Sequence, residues 1–470
     1  MERCLAVVGA TGTGKSRLAA ALAAALGGEV VNSDALQVYR GAEVLTNKGC
    51  VRGDVVHHLV GTVGWEEGYD VQRYEREALG VVGRLQRAGR LPVVAGGTHY
   101  YTQAILFENT LLDGGGAAGG AARSARSAGS ALASLESLST AALYARLNQV
   151  DPVIAQRWHP HDRRRIARSL EIFLSTGQRP SDLYQAQRQT EPSTRSGDRC
   201  QQAFCAHPRF KTCVFWVYRE LDVLDQFLDQ RVEEMCASGA LDDLHMLYSE
   251  WNARKQQQRE DTVQESLEFK TKQGRSINNN CISENVESKD PDSFRGIWQA
   301  IGFKAFLPYL ELPEDTIPSV KHAYFMRSIA AMQLSTRQYA RKQIKWIRNK
   351  LYPLCLSSGP DIRFYLLDAT NLSDWETRVQ NLAITLATGY FLHDRQGPDP
   401  LSLSETAMRL LTSKPVLNYA SQTELWKHYV CDVCKTSSGE PFIAIGLPQW
   451  MTHVQGRRHR TRLARHKQQE

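Results

Sequence analysis

The eight residues Gly9-Ala10-Thr11-Gly12-Thr13-Gly14-Lys15-Ser16 follow the pattern G-x-x-x-x-G-K-S. Glycines at these positions let backbone N–H groups close around phosphate oxygens at a helix start, while Lys15 adds positive charge and Ser16 offers a hydroxyl to Mg²⁺. The pattern specifies two adjacent phosphates and not what they are attached to, so a pyrophosphate ester satisfies it as well as a nucleotide. A second set of reactive residues lies near the other end of the chain. Cys431 and Cys434 are separated by two residues, His453 follows after eighteen more, and His459 after a further five. Two thiolates and two imidazoles at that spacing suit a tetrahedral Zn²⁺ site, structural because four protein ligands leave no open position.

A phosphate-binding loop needs a strand before it and a helix after it. Leu5-Ala6-Val7-Val8 is a short apolar run ending at Gly9, and residues 16–26 are rich in Ala and Leu. Residues 28–34 read as a second strand ending in Asn32-Ser33-Asp34, at the edge where open α/β sheets place their ligand groups. Asp34 there is placed to bind Mg²⁺, to orient a substrate hydroxyl, to act as general base, or simply to cap a helix. A helical pattern over 71–85 leads to Leu91-Pro92-Val93-Val94-Ala95 and then Gly96-Gly97-Thr98. The alternation predicts a P-loop NTPase-like α/β fold with a mostly parallel sheet. Asp368, after the strand-like Phe364-Tyr365-Leu366-Leu367, is a weaker alternative for the metal-binding acid because it comes so late.

Further on, 162–176 reads as a basic helix closed by Gly177, and Leu221, Leu224, Leu228, Val232 and Met235 recur at helical spacing. A long basic helix is expected over 323–350. Residues 113–134, almost entirely Gly, Ala, Ser and Arg, read as a linker or poorly ordered insertion, and the polar stretch 252–293 reads as a loop or disordered insertion. The expected division is a core beginning at 1–112, a linker and helical insertion over 113–200, the rest of the core over 201–395, a linker over 396–427, and a small zinc finger with a basic tail over 428–470.

Composition sets the class. The 470 residues are 42% hydrophobic and 23% charged, with no apolar run near the roughly 18–20 residues of a membrane-spanning helix. A soluble protein without membrane partners is expected. Ten cysteines, scattered apart from the 431/434 pair, suit a reducing compartment. The net charge is +7, concentrated late: residues 316–360 hold eight Lys or Arg and no Asp or Glu, and six of residues 456–467 are basic. Two such clusters in one chain point to nucleic acid.

The phosphate loop, Asn32-Ser33-Asp34-Ala35-Leu36-Gln37-Val38-Tyr39, Thr46-Asn47-Lys48 and Gly96-Gly97-Thr98-His99-Tyr100-Tyr101 together resemble the tRNA dimethylallyltransferases (tRNA isopentenyltransferases). Later blocks are similar in the same order: Val150-Asp151-Pro152, the run from His159 to Glu171, Gln299-Ala300-Ile301-Gly302-Phe303, and Thr336-Arg337-Gln338-Tyr339-Ala340-Arg341-Lys342-Gln343. The C-terminal module, with Trp450 before His453 and the basic run after it, resembles the matrin- or U1-type fingers and the eukaryotic branch of the family.

The resemblance implies transfer of a dimethylallyl group from dimethylallyl diphosphate to N6 of the adenosine 3′-adjacent to the anticodon. It makes Asp34 the base, Thr98 a contact to the reacting ends, Arg231 a clamp on the diphosphate, and Gly9, Thr11, Gly12, Thr13, Gly14, Lys15 and Ser16 the diphosphate cradle, with Mg²⁺ at Ser16. It implies a tRNA anticodon stem-loop partner contacted by Asp34, Ala35, Leu36, Gln37, Arg164, Arg165, Ile166, Ala167, Arg168, Gln299, Gly302, Arg341 and Lys342, with Lys345 a further phosphate candidate. Structural Zn²⁺ at Cys431, Cys434, His453 and His459 would assist RNA binding. A monomer is expected, in cytosol or nucleus because the loop begins so near the start of the chain, with a mitochondrial pool implied by the resemblance alone. The rival readings are a P-loop small-molecule kinase using ATP, and an RNA-binding relative that has lost activity.

Overall fold

The computed structural model describes residues 2–51, 55–108, 110, 135, 138–189, 207–272, 296–392, 397–412, 426–436 and 439–466. The low-complexity stretch 113–134, residues 273–293 and residues 413–425 lie outside them. The chain divides into two compact units, Met1–Glu108 with Ala206–Ser413, and Asn109–Cys205 with Lys414–Glu470.

The elements in chain order begin with β1 (Arg3–Gly9), α1 (Lys15–Leu26), β2 (Gly28–Asn32), β3 (His57–His58), α2 (Val71–Arg87), β4 (Leu91–Ala95) and α3 (His99–Leu106). Four helices follow: α4 (Thr140–Val150), α5 (Pro152–Arg157), α6 (Arg163–Thr176) and α7 (Pro180–Gln189). Next come β5 (Lys211–Tyr218), α8 (Leu221–Ala237), α9 (Ala240–Lys272), α10 (Ile301–Leu310), α11 (Pro318–Trp346), α12 (Tyr352–Ser357), β6 (Ile362–Asp368), α13 (Leu382–Leu392) and α14 (Glu405–Leu411). The chain closes with β7 (His428–Lys435), β8 (Pro441–Ile445), α15 (Leu447–Gln455) and α16 (Arg457–His466).

In the first unit β1 to β6 form one parallel sheet in the order β3-β2-β4-β1-β5-β6. β1 shows why: Cys4, Ala6 and Val8 point to one face, Leu5 and Val7 to the other, and all are buried. A strand apolar on both sides needs helices on both faces, which the crossovers of a parallel sheet supply. α2 and α3 cover the first face through Tyr74, Ala78, Val82, Tyr101 and Ile105, and α1 and α13 cover the second through Leu18, Leu22, Ala383 and Ala387. A third cluster packs α9, α10 and α11 against the segment from Val38 to Leu45. The sheet therefore delivers the ends of β1, β2 and β4 to one edge, where ligands bind in such folds.

Three expectations are corrected here. Residues 252–272 are the continuation of α9 and not a loop. Their Glu, Lys, Gln and Arg are good helix formers, and propensity outweighs the polarity that suggested disorder. α11 starts five residues before 323, with Pro318 in the first turn, where its missing N–H costs nothing. Part of the expected linker is core: Ala407 and Leu411 of α14 are buried in the cluster that holds Leu366, and Ser404 Oγ caps that helix at Ala407 N–H, 3.0 Å away.

The second unit packs α4, α5 and α6 around Leu143, Leu147, Ile154, Ile166 and Leu170. Asp162 caps α6 by accepting from Arg165 N–H at 3.2 Å, and Gly177 ends it in the left-handed region at φ 70°. The antiparallel β7–β8 hairpin belongs to the same unit and does not stand apart from the insertion: His428 Nε2 lies 2.9 Å from the Gln156 carbonyl, and its ring stacks on Tyr144. Among the described residues no helix is long and apolar enough to cross a membrane.

Candidate active site and metal cluster

The turn from β1 into α1 is built on glycines that no other residue replaces. Gly12 and Gly14 have φ of 81° and 93°, and a Cβ on Gly14 would stand 2.5 Å from the Trp375 ring. Inside the turn Lys15 Nζ and Thr13 Oγ1 donate to the Ala10 carbonyl at 2.7 and 2.9 Å. Arg231 of α8 reaches over and donates to Thr11 Oγ1 at 3.0 Å. His99, at the start of α3, sets its Nε2 against the Gly9 N–H and carbonyl at 3.3 and 3.2 Å. Burial, and then the positive charge of Lys15, hold that imidazole down to about 3, so it is neutral at physiological pH.

Asp34 leaves the end of β2 in a tight turn, not at a helix cap. Its Oδ1 accepts from Leu36 N–H at 3.0 Å, and its own N–H donates to Asn32 Oδ1 at 3.2 Å. A Cβ on Gly97 would lie 2.8 Å from Asp34 Oδ2, so a side chain there would displace the carboxylate. Thr98 joins the two strand ends: its N–H donates to the Ser33 carbonyl at 3.1 Å and its Oγ1 accepts from Ala35 N–H at 3.0 Å.

Part of this arrangement lines a single cavity of about 670 Å³ in the first unit, whereas Gly9, Thr13, Thr98 and His99 stand behind its lining. Thr11, Gly12, Gly14, Lys15, Ser16 and Arg231 form one wall, and Asp34, Gly96 and Gly97 another, with Gln37 and Lys48 in the loop at its rim. Gln37 spends its Nε2 on the carbonyls of Thr46 and Asn47, at 3.1 and 3.2 Å. The loop is further fixed by the buried Lys48 ammonium, which donates to the carbonyls of Tyr39 and Gly41, and by Asp243, which accepts from the N–H groups of Val44 and Leu45 at 2.9 Å. Ala42 and Asn47 hold positive φ within it.

The remaining expected RNA contacts divide. Arg164, Arg165 and Arg168 are exposed on α6, though Arg165 pairs with Asp162 and Arg168 with Glu171. Ile166 is instead fully buried in the core of the second unit, with Ala167 packed against it, and Gly302 is buried in the first, where a Cβ would strike Leu45 at 2.3 Å. Both positions serve packing. Gln299 is exposed and Lys342 and Lys345 are exposed on α11, whereas Arg341 is engaged with Asp225 of α8. Ala35 and Leu36 form the turn behind Asp34 without lining the cavity. Sequence reasoning missed Tyr339 and Gln343, one helical turn apart on α11, which line the cavity as well. The Tyr339 hydroxyl is 3.5 Å from the Gly97 carbonyl, and withdrawal from water, then the Asp34 charge, push its pKa up. The i, i+4 spacing within the quoted Thr336 to Gln343 block was the available signal.

In the second unit one ligand atom from each of Cys431, Cys434, His453 and His459 lies within 4.8 Å of the others, a group that could hold a metal ion. His459 Nδ1 is 3.5 and 3.6 Å from the two sulfurs, close to the edge of a tetrahedron built on bonds of about 2.0–2.3 Å. His453 Nε2 is buried with no hydrogen-bond partner, under a Phe442 ring 4.0 Å from its own. An orphaned imidazole nitrogen beside two thiols is what a metal ligand looks like without its metal.

The model of the family described as IPP transferase matches residues 37–350. The chain belongs to the IPP transferase family. Two similar relatives are the tRNA dimethylallyltransferase of Schizosaccharomyces pombe, 32% identical over 98% of this chain and 95% of that one, and that of Saccharomyces cerevisiae, 33% identical over 100% and 94%. A solved eukaryotic dimethylallyltransferase acting on tRNA has a TM-score of 0.71, at 32% identity over 100% of this chain and 98% of its own. The matched stretch of this IPP transferase begins at Gln37, after the phosphate-binding loop and Asp34, and the full-length relatives extend the likeness over both.

Proposed function

We propose that the chain transfers the dimethylallyl group of dimethylallyl diphosphate to N6 of the adenosine 3′-adjacent to the anticodon of tRNA. The observation that carries this reading is the meeting of the phosphate-binding loop and Asp34 in one cavity. Loop amides from Gly12 to Lys15, the Lys15 ammonium and Arg231 take up the diphosphate, the Thr11 N–H being given to Gln343. Ser16 supplies the single hard oxygen that a Mg²⁺ needs from protein when its other ligands are phosphates and water. A Mg²⁺ held at Ser16 would supply neutralisation of the charge on the diphosphate.

An exocyclic adenine amine is a poor nucleophile, because its lone pair is delocalised into the ring. Asp34 removes an N6 proton as the new carbon–nitrogen bond forms, and the electron pair of the broken carbon–oxygen bond departs with diphosphate. The base must leave the anticodon-loop stack to reach Asp34, at a cost of a few kcal/mol that RNA contacts offset. The exposed arginines of α6 and the lysines of α11 suit phosphate contact. Zn²⁺ at the four Cys and His ligands is structural and supports RNA binding.

The test is incubation of the purified chain with Mg²⁺, tRNA bearing adenosine at that position, and either dimethylallyl diphosphate or ATP, followed by mass spectrometry of the nucleosides. A five-carbon gain on adenosine with the diphosphate alone supports the transferase. Consumption of ATP alone would install the kinase reading, and tRNA binding with neither reaction an inactive relative.

A further inference from the structure

Gln343 is only 3% exposed, yet it touches both walls of the cavity. Its Oε1 accepts from Thr11 N–H at 2.8 Å, and its Nε2 donates to the Gly97 carbonyl at 2.8 Å. A Cβ on Gly97 would stand 2.9 Å from that nitrogen and 2.8 Å from Asp34 Oδ2, so amide, glycine and carboxylate crowd one point.

Of the two loops that Gln343 joins, one is the phosphate-binding loop and the other sets Gly97 against the Asp34 carboxylate. They leave the ends of β1 and β4, whose pairing ends at Val7 and Ala95. Beyond that register the ladder no longer fixes their separation, and His99 to Gly9 on one side and Gln343 on the other tie across the gap. Each polar end of the amide already has a protein partner, which fixes the side chain between the two loops, with one N–H and one oxygen lone pair beyond those bonds. Its place on α11 also connects this spacing to the helix that carries Lys342 and Lys345.

Resting on the transferase reading, we propose that Gln343 is a positioning residue that sets the distance between the allylic carbon at the phosphate-binding loop and the adenosine amine at Asp34. Neither reactant is held by Gln343 itself. Its removal therefore leaves each binding site in place and spoils their alignment, and a misplacement of about 1 Å costs on the order of 100-fold in rate.

The experiment compares the full chain with Gln343→Met, which keeps length and loses both hydrogen bonds, and Gln343→Asn, which keeps the amide but is too short to span the loops. Turnover on tRNA is read beside the dissociation constant for inorganic pyrophosphate, KM for tRNA and the melting transition. The expected result is a kcat lowered about 10–100-fold in both variants, with pyrophosphate affinity and KM within about threefold and melting unchanged. Unchanged kcat in both, or a loss matched by an equal fall in either affinity or by a lower melting transition in both, would overturn the role. Absence of transfer by the unaltered chain would overturn the transferase reading itself, and an active unaltered chain with an equally active Gln343→Met would overturn only this inference.

Discussion

The walls of the cavity stand on a large buried core. Strand ends deliver Asp34, Gly97 and the phosphate-binding loop, tied by hydrogen bonds between side chains and main chain, above a sheet buried on both faces. The Cys431, Cys434, His453 and His459 cluster is held in the other way. Its hairpin buries little beyond the two cysteines and Ala444, and neither α15 nor α16 contains a buried residue. A large core prepares the first site before any ligand arrives, whereas the second has little apolar burial, and on the proposed reading a metal on its four side chains supplies what the burial does not.

The largest effect that would break this contrast is loss of zinc. Binding by such small modules is worth on the order of 10 kcal/mol at neutral pH, so Cys431→Ser should release the metal and unfold residues 428–466 locally. Zinc content and limited proteolysis report this, and the core melting transition should stay in place; a joint collapse would show that the units are not independent. Next, Asp34→Asn should lower turnover by about 100-fold or more with tRNA affinity retained, the usual scale for a lost general base. Near-normal turnover would remove Asp34 from that role. Gly14→Ala combines a positive φ with a collision against Trp375 and should cost about 1–3 kcal/mol in denaturant unfolding, the range for strain and overpacking. Unaltered stability would mean that the turn is less rigid than its packing indicates.

The smallest effect concerns His99. Its folded pKa of about 3 lies below the ordinary 6.5, so the neutral ring is the native form and the unfolded chain binds more protons between those values. The stability it contributes is complete above pH 6.5 and is lost as pH falls. His99→Gln should flatten the fall in melting temperature between pH 6.5 and 5, and an identical slope would show that this imidazole is not what acid attacks.

The same contrast explains what could be read in advance. Chemistry written in local spacing was legible: Gly9 to Ser16, Asp34 at a strand end, and Cys431 to His459 all declare themselves over short stretches. Groups that act across long separations were not. Gln343 meets Thr11 and Gly97 from a helix more than two hundred residues away, and Arg341, expected to face RNA, is committed to Asp225 by the packing of α8 on α11. Ile166, next to Arg165, and Gly302, three residues after Gln299, sit on the inward faces of their helices, a distinction that periodicity over so short a block does not resolve. The helix over 252–272 was hidden by polarity, since good helix formers and disordered segments share Gln, Glu and Lys.

Turnover measured before and after stripping zinc with a zinc-selective chelator, with Mg²⁺ kept in excess, tests most directly whether the chemistry resides in the cavity of the first unit. The predicted result is a kcat at saturating tRNA unchanged within about twofold while KM for tRNA rises, the mark of lost binding without lost transition-state stabilisation. A kcat that falls in proportion to the zinc removed would contradict it.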